Sequence, residues 1–358
     1  MKIAILNIYN GRVERGAEIF VEELADMLSR NHDINVFQTG EKKNNRYKIH
    51  QISDIPYFPH QAAIDQSFTL KRSVNAQLYN FWLLIFSIKC LPYLWRGRYD
   101  WIIPINGRWQ VILCRLLRFF SRGKILISGH AGIGFDDKFN LIIGRPDVFV
   151  ALTPDAFTWA KKIYSEKQIM CIPNGVNIEK FNPDVIPAKI PIRKPIVLCV
   201  SALLHYKRIH LLIQAVAKLL DVSLLIIGDG PLKGQIDNLG RNLLGDRFHL
   251  IPYVPHKDMA SYYTACQIFS LPSKSNEAFG LVYLEALACS LPVVAPDDIN
   301  RRNIIGEAGL FCNVSNINEY SETLRKAAES DFFYKPRKQA EKFSWQKIAQ
   351  NYEKIMER

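Results

Sequence analysis

The stretch Glu277-Ala278-Phe279-Gly280-Leu281-Val282-Tyr283-Leu284-Glu285 carries two carboxylates separated by seven residues. It follows a short apolar run, 268–272, that predicts a buried strand, and a helix is predicted to begin near Phe279. A strand, an acidic loop, a glycine and a helix in this order direct free backbone N–H groups at an anion. A carboxylate beside an anion site cannot bind phosphate, so it is suited to hydroxyl groups. Phosphate and hydroxyl recognition together indicate a sugar nucleotide. An ordinary strand-to-helix turn with one capping and one exposed glutamate is the alternative.

The rest of the chain alternates short apolar strands with helical patterns, which is typical of parallel sheets covered by helices. This α/β pattern is interrupted at 181–195 by four prolines without sustained periodicity, which indicates a linker. We therefore predict two doubly wound, Rossmann-like domains with an interdomain cleft, since ligands bind at the carboxyl ends of such strands. The predicted ranges are 1–178, a Pro-rich hinge at 179–195, a second domain at 196–340, and a helix at 341–358 that crosses back to the first domain.

Composition excludes several classes of protein. The chain has 358 residues, of which 48% are hydrophobic, so two folded domains are expected and disorder is not. Its seven cysteines form no C-x-x-C pair and are predicted to be small buried residues in a reducing compartment. The N-terminus enters a strand directly, so no signal peptide is expected.

The net charge is +12, and many basic residues fall in the first half of the chain. An anionic lipid surface attracts such groups at roughly 1 kcal/mol per residue. No nucleic-acid-binding motif accompanies the charge, so nucleic acid is not an expected partner, although a solvated basic face is an alternative. The basic groups considered are Lys42, Lys43, Lys71, Arg72, Arg96, Arg98, Arg108, Arg115, Arg118, Arg122 and Lys124.

The most hydrophobic stretch, Phe81 to Leu91, is interrupted by Ser87 and Lys89 and stopped by Pro92. It is shorter than the roughly 20 apolar residues that span a bilayer. We predict a buried helix there, with a helix that dips into a membrane surface as the alternative.

Several loops at predicted strand ends carry candidate site residues. His130 lies between glycines after a strand and is predicted to be exposed to a cleft, with a capping role as the alternative. Lys207 follows the first strand of the second domain, where an ammonium can neutralise a diphosphate. Tyr253 and Val254 follow a later strand, and their loop can hold the edge of a nucleobase or form a simple turn.

Two motif arguments exclude other chemistries. Gly228-Asp229-Gly230 lacks the third glycine of the dinucleotide fingerprint, and Lys233 takes its place. An NAD-binding site is therefore not expected. The chain contains no D-x-D, which disfavours a nucleotide held through an aspartate-bound divalent metal. The adjacent pairs Asp136-Asp137 and Asp297-Asp298 are predicted to be loop charges and not metal ligands.

Together these motifs resemble the family 4 glycosyltransferases, which have the GT-B fold, and the resemblance covers nearly the whole chain. The spacing of Glu277 and Glu285 in this context is its specific part. The other matching elements are Arg15-Gly16-Ala17-Glu18, His130, Pro173-Asn174-Gly175-Val176, Lys207, Gly228-Asp229-Gly230-Pro231, Pro272-Ser273, Pro292-Val293-Val294-Ala295 and Ala308-Gly309-Leu310.

The resemblance implies a retaining, metal-independent sugar transfer from a nucleotide donor, with no cofactor. It implies that Glu285 holds the ribose hydroxyls and that Glu277 lies near the donor sugar. It further assigns the leaving diphosphate to Lys207 and to Gly16, and the sugar to His130. The backbone at Phe279, Gly280 and Leu281 is expected to bind phosphate or sugar oxygens.

Two positions depart from the family pattern. An arginine usually stands five residues before the lysine, where this chain has Ala202; Arg208, next to Lys207, is expected to compensate. Arg15 replaces the usual first glycine of its loop and is expected to add a phosphate contact.

The resemblance also implies biological expectations. The first domain is expected to bind a glycan or lipid-linked acceptor of polysaccharide or glycolipid biosynthesis, and the second to bind the nucleotide sugar. Separately from the resemblance, the basic first half of the chain and the apolar stretch Phe81 to Leu91 lead us to expect a cytoplasmic protein that is peripheral on the inner face of the cell membrane. The alternative is a non-catalytic GT-B subunit that binds a nucleotide sugar, which only Ala202 supports.

Overall fold

A computed structural model describes residues 1–41, 46–57, 70–120, 123–165, 168–274 and 279–357, without the side chains of 70–73. The predicted site residue Glu277 lies outside the described residues, as do Lys42, Lys43 and Arg122. The chain divides into two units. The first is Met1–Asn174 with Trp345–Arg358, and the second is Gly175–Ser344.

Thirteen strands are present in the described part of the chain. In the first unit they are β1 Lys2–Leu6, β2 Asp33–Gln38, β3 Lys48–Gln51, β4 Trp101–Pro104, β5 Lys124–Ser128, β6 Val148–Ala151 and β7 Gln168–Cys171. In the second they are β8 Ile196–Val200, β9 Ser223–Ile227, β10 Phe248–Ile251, β11 Ile268–Ser270, β12 Val293–Pro296 and β13 Gly309–Cys312.

The α-helices of the same residues connect and cover these strands. Five precede the unit boundary: α1 Gly16–Leu28, α2 Leu70–Gly97, α3 Arg108–Leu117, α4 Phe135–Ile142 and α5 Pro154–Ile163. Seven belong to the second unit: α6 Ile209–Ala217, α7 Lys233–Leu244, α8 Met259–Ala265, α9 Leu281–Ala288, α10 Ile299–Ile305, α11 Ile317–Glu329 and α12 Lys335–Glu341. The last, α13 Trp345–Met356, returns to the first unit.

Each unit holds one sheet whose recorded pairings are all parallel. The order is β3-β2-β1-β4-β5-β6-β7 in the first and β10-β9-β8-β11-β12-β13 in the second. Both orders reverse direction beside the unit's first strand, between β1 and β4 and between β8 and β11. In open α/β sheets, ligands bind at this switch point, outside the carboxyl ends of the strands. The two doubly wound sheets predicted from the sequence are confirmed.

The strands read as nearly continuous apolar runs because helices cover both faces of the sheets. All residues of β4 and β9 are buried, for example. The cysteines are buried as predicted, apart from Cys171 at the end of β7, which is exposed because that strand forms a sheet edge.

The C-terminal helix α13 packs within the first unit. Its amphipathic pattern buries Trp345, Ile348, Tyr352 and Ile355 against a cluster that includes α1. The indole of Trp101 donates a hydrogen bond to the Met356 carbonyl at 3.0 Å. The domain ranges given above stay a prediction, and the boundary between the compact units falls at Asn174 and Gly175.

Helix α2 is longer than the sequence indicated, because it continues through Pro92 to Gly97. One face is buried at Leu83, Phe86, Cys90 and Leu94, whereas the other exposes large apolar side chains. By length and composition alone, its segment Val74–Gly97 could cross a membrane, with a mean hydropathy of 1.2 and 33% of that window buried. Core helices pass the same test, so this observation is weak evidence for a span. Pro92 therefore does not stop the apolar stretch as predicted, since a proline can be accommodated inside a helix that packing holds in place.

Candidate functional site

Two loops meet at the switch point of the second sheet. One follows β8 and leads through a short 3-10 turn, His205–Lys207, into α6; the other follows β11 and leads to α9. The Lys274 backbone N–H donates to the Tyr206 carbonyl at 2.9 Å, which joins the loops directly. The sheet topology therefore brings together residues that are some 70 positions apart in the chain.

Lys207 lies at this junction and is only 7% exposed. Its ammonium group is 5.1 Å from the centre of the Tyr206 ring. A largely buried ammonium at the strand ends is suited to stabilise an anion that binds there. The structure thus places Lys207 at the carboxyl ends of the strands, and its role in binding a diphosphate stays a prediction.

Arg208, expected to compensate for Ala202, adopts a left-handed backbone conformation with φ 52°. Its guanidinium donates to the carbonyls of Pro272 at 2.8 Å and Ser273 at 3.3 Å, and to Ser315 Oγ at 3.3 Å. These bonds tie the two switch-point loops together. Ala202 is exposed, and the compensation stays a prediction.

Arg301 on α10 fixes the residues that precede the acidic loop, and no local sequence pattern indicated this role. It is 2% exposed, and its Nη2 donates to Ser273 Oγ at 2.7 Å and to the Lys274 carbonyl at 2.9 Å. It also bonds Asp298 and, at 3.3 Å, the hydroxyl of Tyr283 on α9. One planar cation therefore connects both ends of the segment that contains Glu277.

Helix α9 begins at Leu281, two residues later than predicted. Gly280 precedes it with φ 88° and ψ 65°, a left-handed conformation that glycine adopts without the penalty of a Cβ atom. The first N–H groups of a helix have no intrahelical partner, so those of Leu281 and Val282 can bind an anion. Phe279 is 5% exposed, which anchors the start of this turn.

Glu285, in the second turn of α9, is 6% exposed. Its Oε2 accepts a hydrogen bond from the Tyr263 hydroxyl at 2.8 Å, and its Oε1 lies 2.9 Å from Nε2 of His256. Burial raises the pKa of Tyr263 well above its ordinary value, so this hydroxyl remains a donor. The sequence analysis missed both partners, because nothing in their local spacing indicates a contact with Glu285.

The predicted base-binding residues lie in the loop after β10. Tyr253 is 67% exposed and Val254 is buried. A nearly free aromatic side chain beside a buried aliphatic one is compatible with stacking against a nucleobase, and this role stays a prediction.

The Gly228 motif serves loop packing at the same edge of the sheet. A Cβ atom on Gly228 would lie 1.9 Å from the Ser201 carbonyl oxygen, so only glycine fits. The motif thus holds the loop after β9 against the loop after β8.

In the first unit, Gly16 is exposed and begins α1. Arg15, the residue before it, forms a bidentate ion pair with Glu18, with distances of 2.9 and 3.1 Å. Glu18 is buried, whereas the Arg15 side chain is 44% exposed. The guanidinium is therefore held against the first turn of α1, and the expected phosphate contact stays a prediction.

His130 follows β5 and is less exposed than the sequence indicated. Its ring packs edge-on against Phe20 with centroids 4.3 Å apart. Its Nε2 is buried and has no hydrogen-bond partner among the residues that the structure describes. Burial lowers the pKa of His130 from 6.5 to about 4, so the imidazole is neutral at pH 7 and offers an unused polar atom.

Asp137, predicted to be a loop charge, lies in the first turn of α4 and is 3% exposed, so that prediction was wrong. Burial raises the pKa of Asp137 from 3.8 to about 7. Hydrogen bonds from Asn140 and from the backbone of Gly132 and Ala131 favour the charged form and oppose this rise. The Asn140 bond is 3.2 Å long. Asp137 therefore fixes the loop that carries His130.

Within the described ranges, no three His, Cys, Asp or Glu side chains are grouped so that they could hold a metal ion. The prediction of metal-independent chemistry stays a prediction.

Comparison with known proteins adds a family match. Residues 184–346, nearly all in the second unit, match the family described as "Glycosyl transferases group 1". The alpha-monoglucosyldiacylglycerol synthase of Streptococcus pneumoniae is 25% identical over 308 residues, 79% of this chain and 68% of that protein.

Another relative is the GDP-mannose-dependent monoacylated alpha-(1-6)-phosphatidylinositol monomannoside mannosyltransferase of Corynebacterium glutamicum. It is 28% identical over 172 residues, 43% of this chain and 45% of that protein, so the chain matches about half the length of this relative. Among solved structures, Anabaena HepE in complex with UDP and glucose is similar with a TM-score of 0.75 at 17% identity. That similarity covers 100% of this chain and 99% of HepE, and at this identity it supports the fold alone.

Proposed function

We propose that this chain is a group 1 glycosyl transferase and that it transfers a sugar from a nucleotide sugar to a glycan or lipid-linked acceptor. We further propose that transfer retains the anomeric configuration and needs no metal. The resemblance to family 4 glycosyltransferases motivates both finer statements.

One observation carries the proposal: the switch point of the second sheet combines a buried lysine, the N-terminus of α9 and a buried carboxylate. Lys207 and the first N–H groups of α9 suit the diphosphate, whereas Glu285 suits the ribose hydroxyls. Anion and hydroxyl recognition at one sheet edge is what a nucleoside diphosphate requires.

In the proposed reaction, the bond between the anomeric carbon and the diphosphate oxygen breaks, and the bonding electrons leave with the diphosphate. The acceptor hydroxyl oxygen bonds to the anomeric carbon, and its proton passes to the departing diphosphate. Lys207 and the α9 N–H groups stabilise the charge that develops on the leaving group, and fixed donors of this kind lower such barriers strongly.

Loss of Lys207 should therefore slow turnover. A charge-assisted hydrogen bond contributes roughly 1.5–3 kcal/mol, so we expect Lys207→Ala to lower kcat by about 10- to 150-fold. His130 and Gly16 are assigned by the resemblance to the sugar and the diphosphate, and Glu277 to the donor sugar, as parts of the same proposal.

The donor site is tested by thermal shift with UDP-, GDP-, ADP- and TDP-sugars in the presence of EDTA. A ligand that binds only the native state raises its stability by mass action. We expect one donor to raise Tm and Glu285→Ala to abolish that shift. A shift that requires added divalent metal would contradict metal independence. Binding without turnover in a product assay would favour the non-catalytic subunit, the alternative that Ala202 supports.

We also propose a cytoplasmic protein that is peripheral on the inner face of the cell membrane, through an apolar and basic face of the first unit. Helices α2, α3 and α4 pack side by side. Outside the core, these helices and the turn that follows α3 expose Phe81, Ile88, Trp95, Leu116, Phe119, Phe120 and Phe135. Exposed basic residues Arg96, Arg98, Arg118 and Lys138 accompany them. Apolar and cationic side chains on one surface complement an anionic bilayer.

Flotation with liposomes tests this surface. We expect binding to vesicles with anionic lipid at low salt and less binding to zwitterionic vesicles. The double change Phe119→Ser and Phe120→Ser should weaken binding, whereas Leu220→Ser, an exposed apolar site of the second unit, should not. Equal binding of both variants argues against this surface as the membrane contact, and absence of binding at low salt argues for a soluble acceptor.

A further inference from the structure

In the second unit, Glu285 belongs to a continuous series of hydrogen-bonded side chains. Lys180 Nζ lies 2.8 Å from Nδ1 of His256, and Nε2 of His256 lies 2.9 Å from Oε1 of Glu285. On the other side of the carboxylate, the Tyr263 hydroxyl donates to Oε2 at 2.8 Å. Lys180, His256 and Tyr263 all lie outside the acidic motif in sequence, and none of them was predicted to belong to the site.

The geometry determines the tautomer of His256. A lysine ammonium has three donors and no acceptor, so Nδ1 of His256 must accept its hydrogen bond. A neutral imidazole that accepts at Nδ1 carries its proton at Nε2. The Nε2–H group therefore points at Glu285 and donates to Oε1, and Lys180 fixes this arrangement from behind.

The surroundings keep the two rings in place. Phe181 is 1% exposed, and its ring centre lies 5.3 Å from His256 and 5.9 Å from Tyr263. The residue next to Lys180 thus packs against both partners of Glu285, which restricts their rotation.

The arrangement has a consequence for the carboxylate. An ionised carboxylate offers about four lone-pair sites, two on each oxygen. The two protein donors use one site on each oxygen and prevent the group from rotating. Among the contacts of the described residues, one site on each oxygen then remains, in a fixed direction, for an incoming donor. Two fixed acceptors match two adjacent hydroxyls, as on the 2′ and 3′ carbons of a ribose.

We propose that His256, set by Lys180, is a positioning residue that orients Glu285 and thereby makes the site select a ribonucleotide over its 2′-deoxy counterpart. This inference rests on the proposed function, in which Glu285 holds the ribose. It adds that the selection comes from the fixed direction of the carboxylate and not from its charge alone. A carboxylate that can rotate binds one hydroxyl nearly as well as two, since it can turn to follow whichever is present.

The measurement is the ratio of dissociation constants, deoxy over ribo, from calorimetry on the full chain with UDP, GDP and ADP and their 2′-deoxy forms. A hydrogen bond to a charged group corresponds to a factor of about 10 or more in affinity. We expect a ratio of that order for the unmodified protein and a ratio near unity for His256→Ala, with the affinity for the deoxy form changed little. A merely structural defect would weaken the ribo and deoxy forms equally and would therefore leave this ratio unchanged.

Three variants serve as controls. His256→Gln should retain the ratio, because its amide oxygen can accept from Lys180 while its NH2 group donates to Glu285. Lys257→Ala, an exposed neighbour, should also retain it. Lys180→Met should reduce it, because the tautomer is no longer fixed, and this variant decides the matter if His256→Ala does not fold.

The outcomes separate the two proposals. If Glu285→Ala abolishes the selection but His256→Ala and Lys180→Met keep it, the positioning role is overturned and the proposed function stands. If Glu285→Ala keeps both affinity and selection, the assignment of the ribose to Glu285 fails. Loss of selection in His256→Ala with recovery in His256→Gln supports the inference.

Discussion

The buried carboxylate of Asp137 makes the stability of the first unit depend on pH in a way that one substitution can isolate. Its pKa is raised from 3.8 to about 7, mainly by burial. A carboxyl group whose pKa is raised in the folded state does not affect stability below its unfolded pKa. As pH rises from 3.8 to 7, the unfolded chain releases the proton first, so stability is lost across that window.

The magnitude follows from the same values. Between pH 5 and the folded pKa of about 7, stability changes by 1.36 kcal/mol per pH unit. The ionisation of Asp137 should therefore lower the free energy of unfolding by at most about 3 kcal/mol between pH 5 and pH 8. Asp137→Asn removes the titration while keeping the shape and one acceptor oxygen for the loop that carries His130.

The assay is urea unfolding of the unmodified protein and of Asp137→Asn at pH 5, 6, 7 and 8. We expect the difference in unfolding free energy between the two to grow in favour of the asparagine variant as pH rises. Asp136→Asn is the matched control, since that carboxylate is half exposed and paired with Arg108. Parallel curves for Asp137→Asn and the unmodified protein would refute the reasoning.

Three other substitutions give defined results. His130→Gln should reduce the loss of stability in acid, because the pKa of His130 is lowered to about 4 and its stabilising effect is complete only above pH 6.5. That effect is lost as pH falls to 4, by at most about 3 kcal/mol. Denaturant unfolding at pH 4 and pH 7 measures it, and an equal loss of unfolding free energy in the variant and the unmodified protein contradicts it. Arg301→Lys should lower the free energy of unfolding by about 3–5 kcal/mol, because a lysine cannot replace the planar guanidinium that bonds both Asp298 and Ser273 and would leave buried groups unpaired. A loss under 1 kcal/mol in denaturant unfolding argues against this role. Gly228→Ala should lower both stability and donor affinity, because its Cβ would lie 1.9 Å from the Ser201 carbonyl oxygen; unchanged Tm and nucleotide affinity would show that the loops can move apart.

Sequence reasoning succeeded where the information is local. Alternating apolar and helical patterns predict two parallel sheets because a strand buried on both faces must be apolar along its length. A glycine was expected at the turn into α9, and Gly280 takes the left-handed conformation that favours glycine, whereas anion binding by this helix stays a prediction. The spacing of Glu277 and Glu285, together with motifs along the rest of the chain, suggested a resemblance to a glycosyltransferase family, and residues 184–346 match the group 1 glycosyl transferase family.

The start of α9 and the extent of α2 were predicted less well. Gly280 caps the helix from outside, so α9 begins at Leu281 and not at Phe279. Pro92 ends a helix in isolation, but α2 packs its buried face against the sheet over several turns, and this packing outweighs the local cost.

By itself, the sequence determined the class of fold, the order of the elements and the residue types at the strand ends, because these follow from spacing along the chain. Only the tertiary structure decided which side chains meet. Glu285 has His256 and Tyr263 as partners, Asp137 holds the His130 loop, and Arg301 bonds Ser273 and Lys274. The physical reason is that hydrogen bonds and burial depend on distances in space. Parallel sheets bring together loops that are dozens of residues apart, and no local pattern records the pairing.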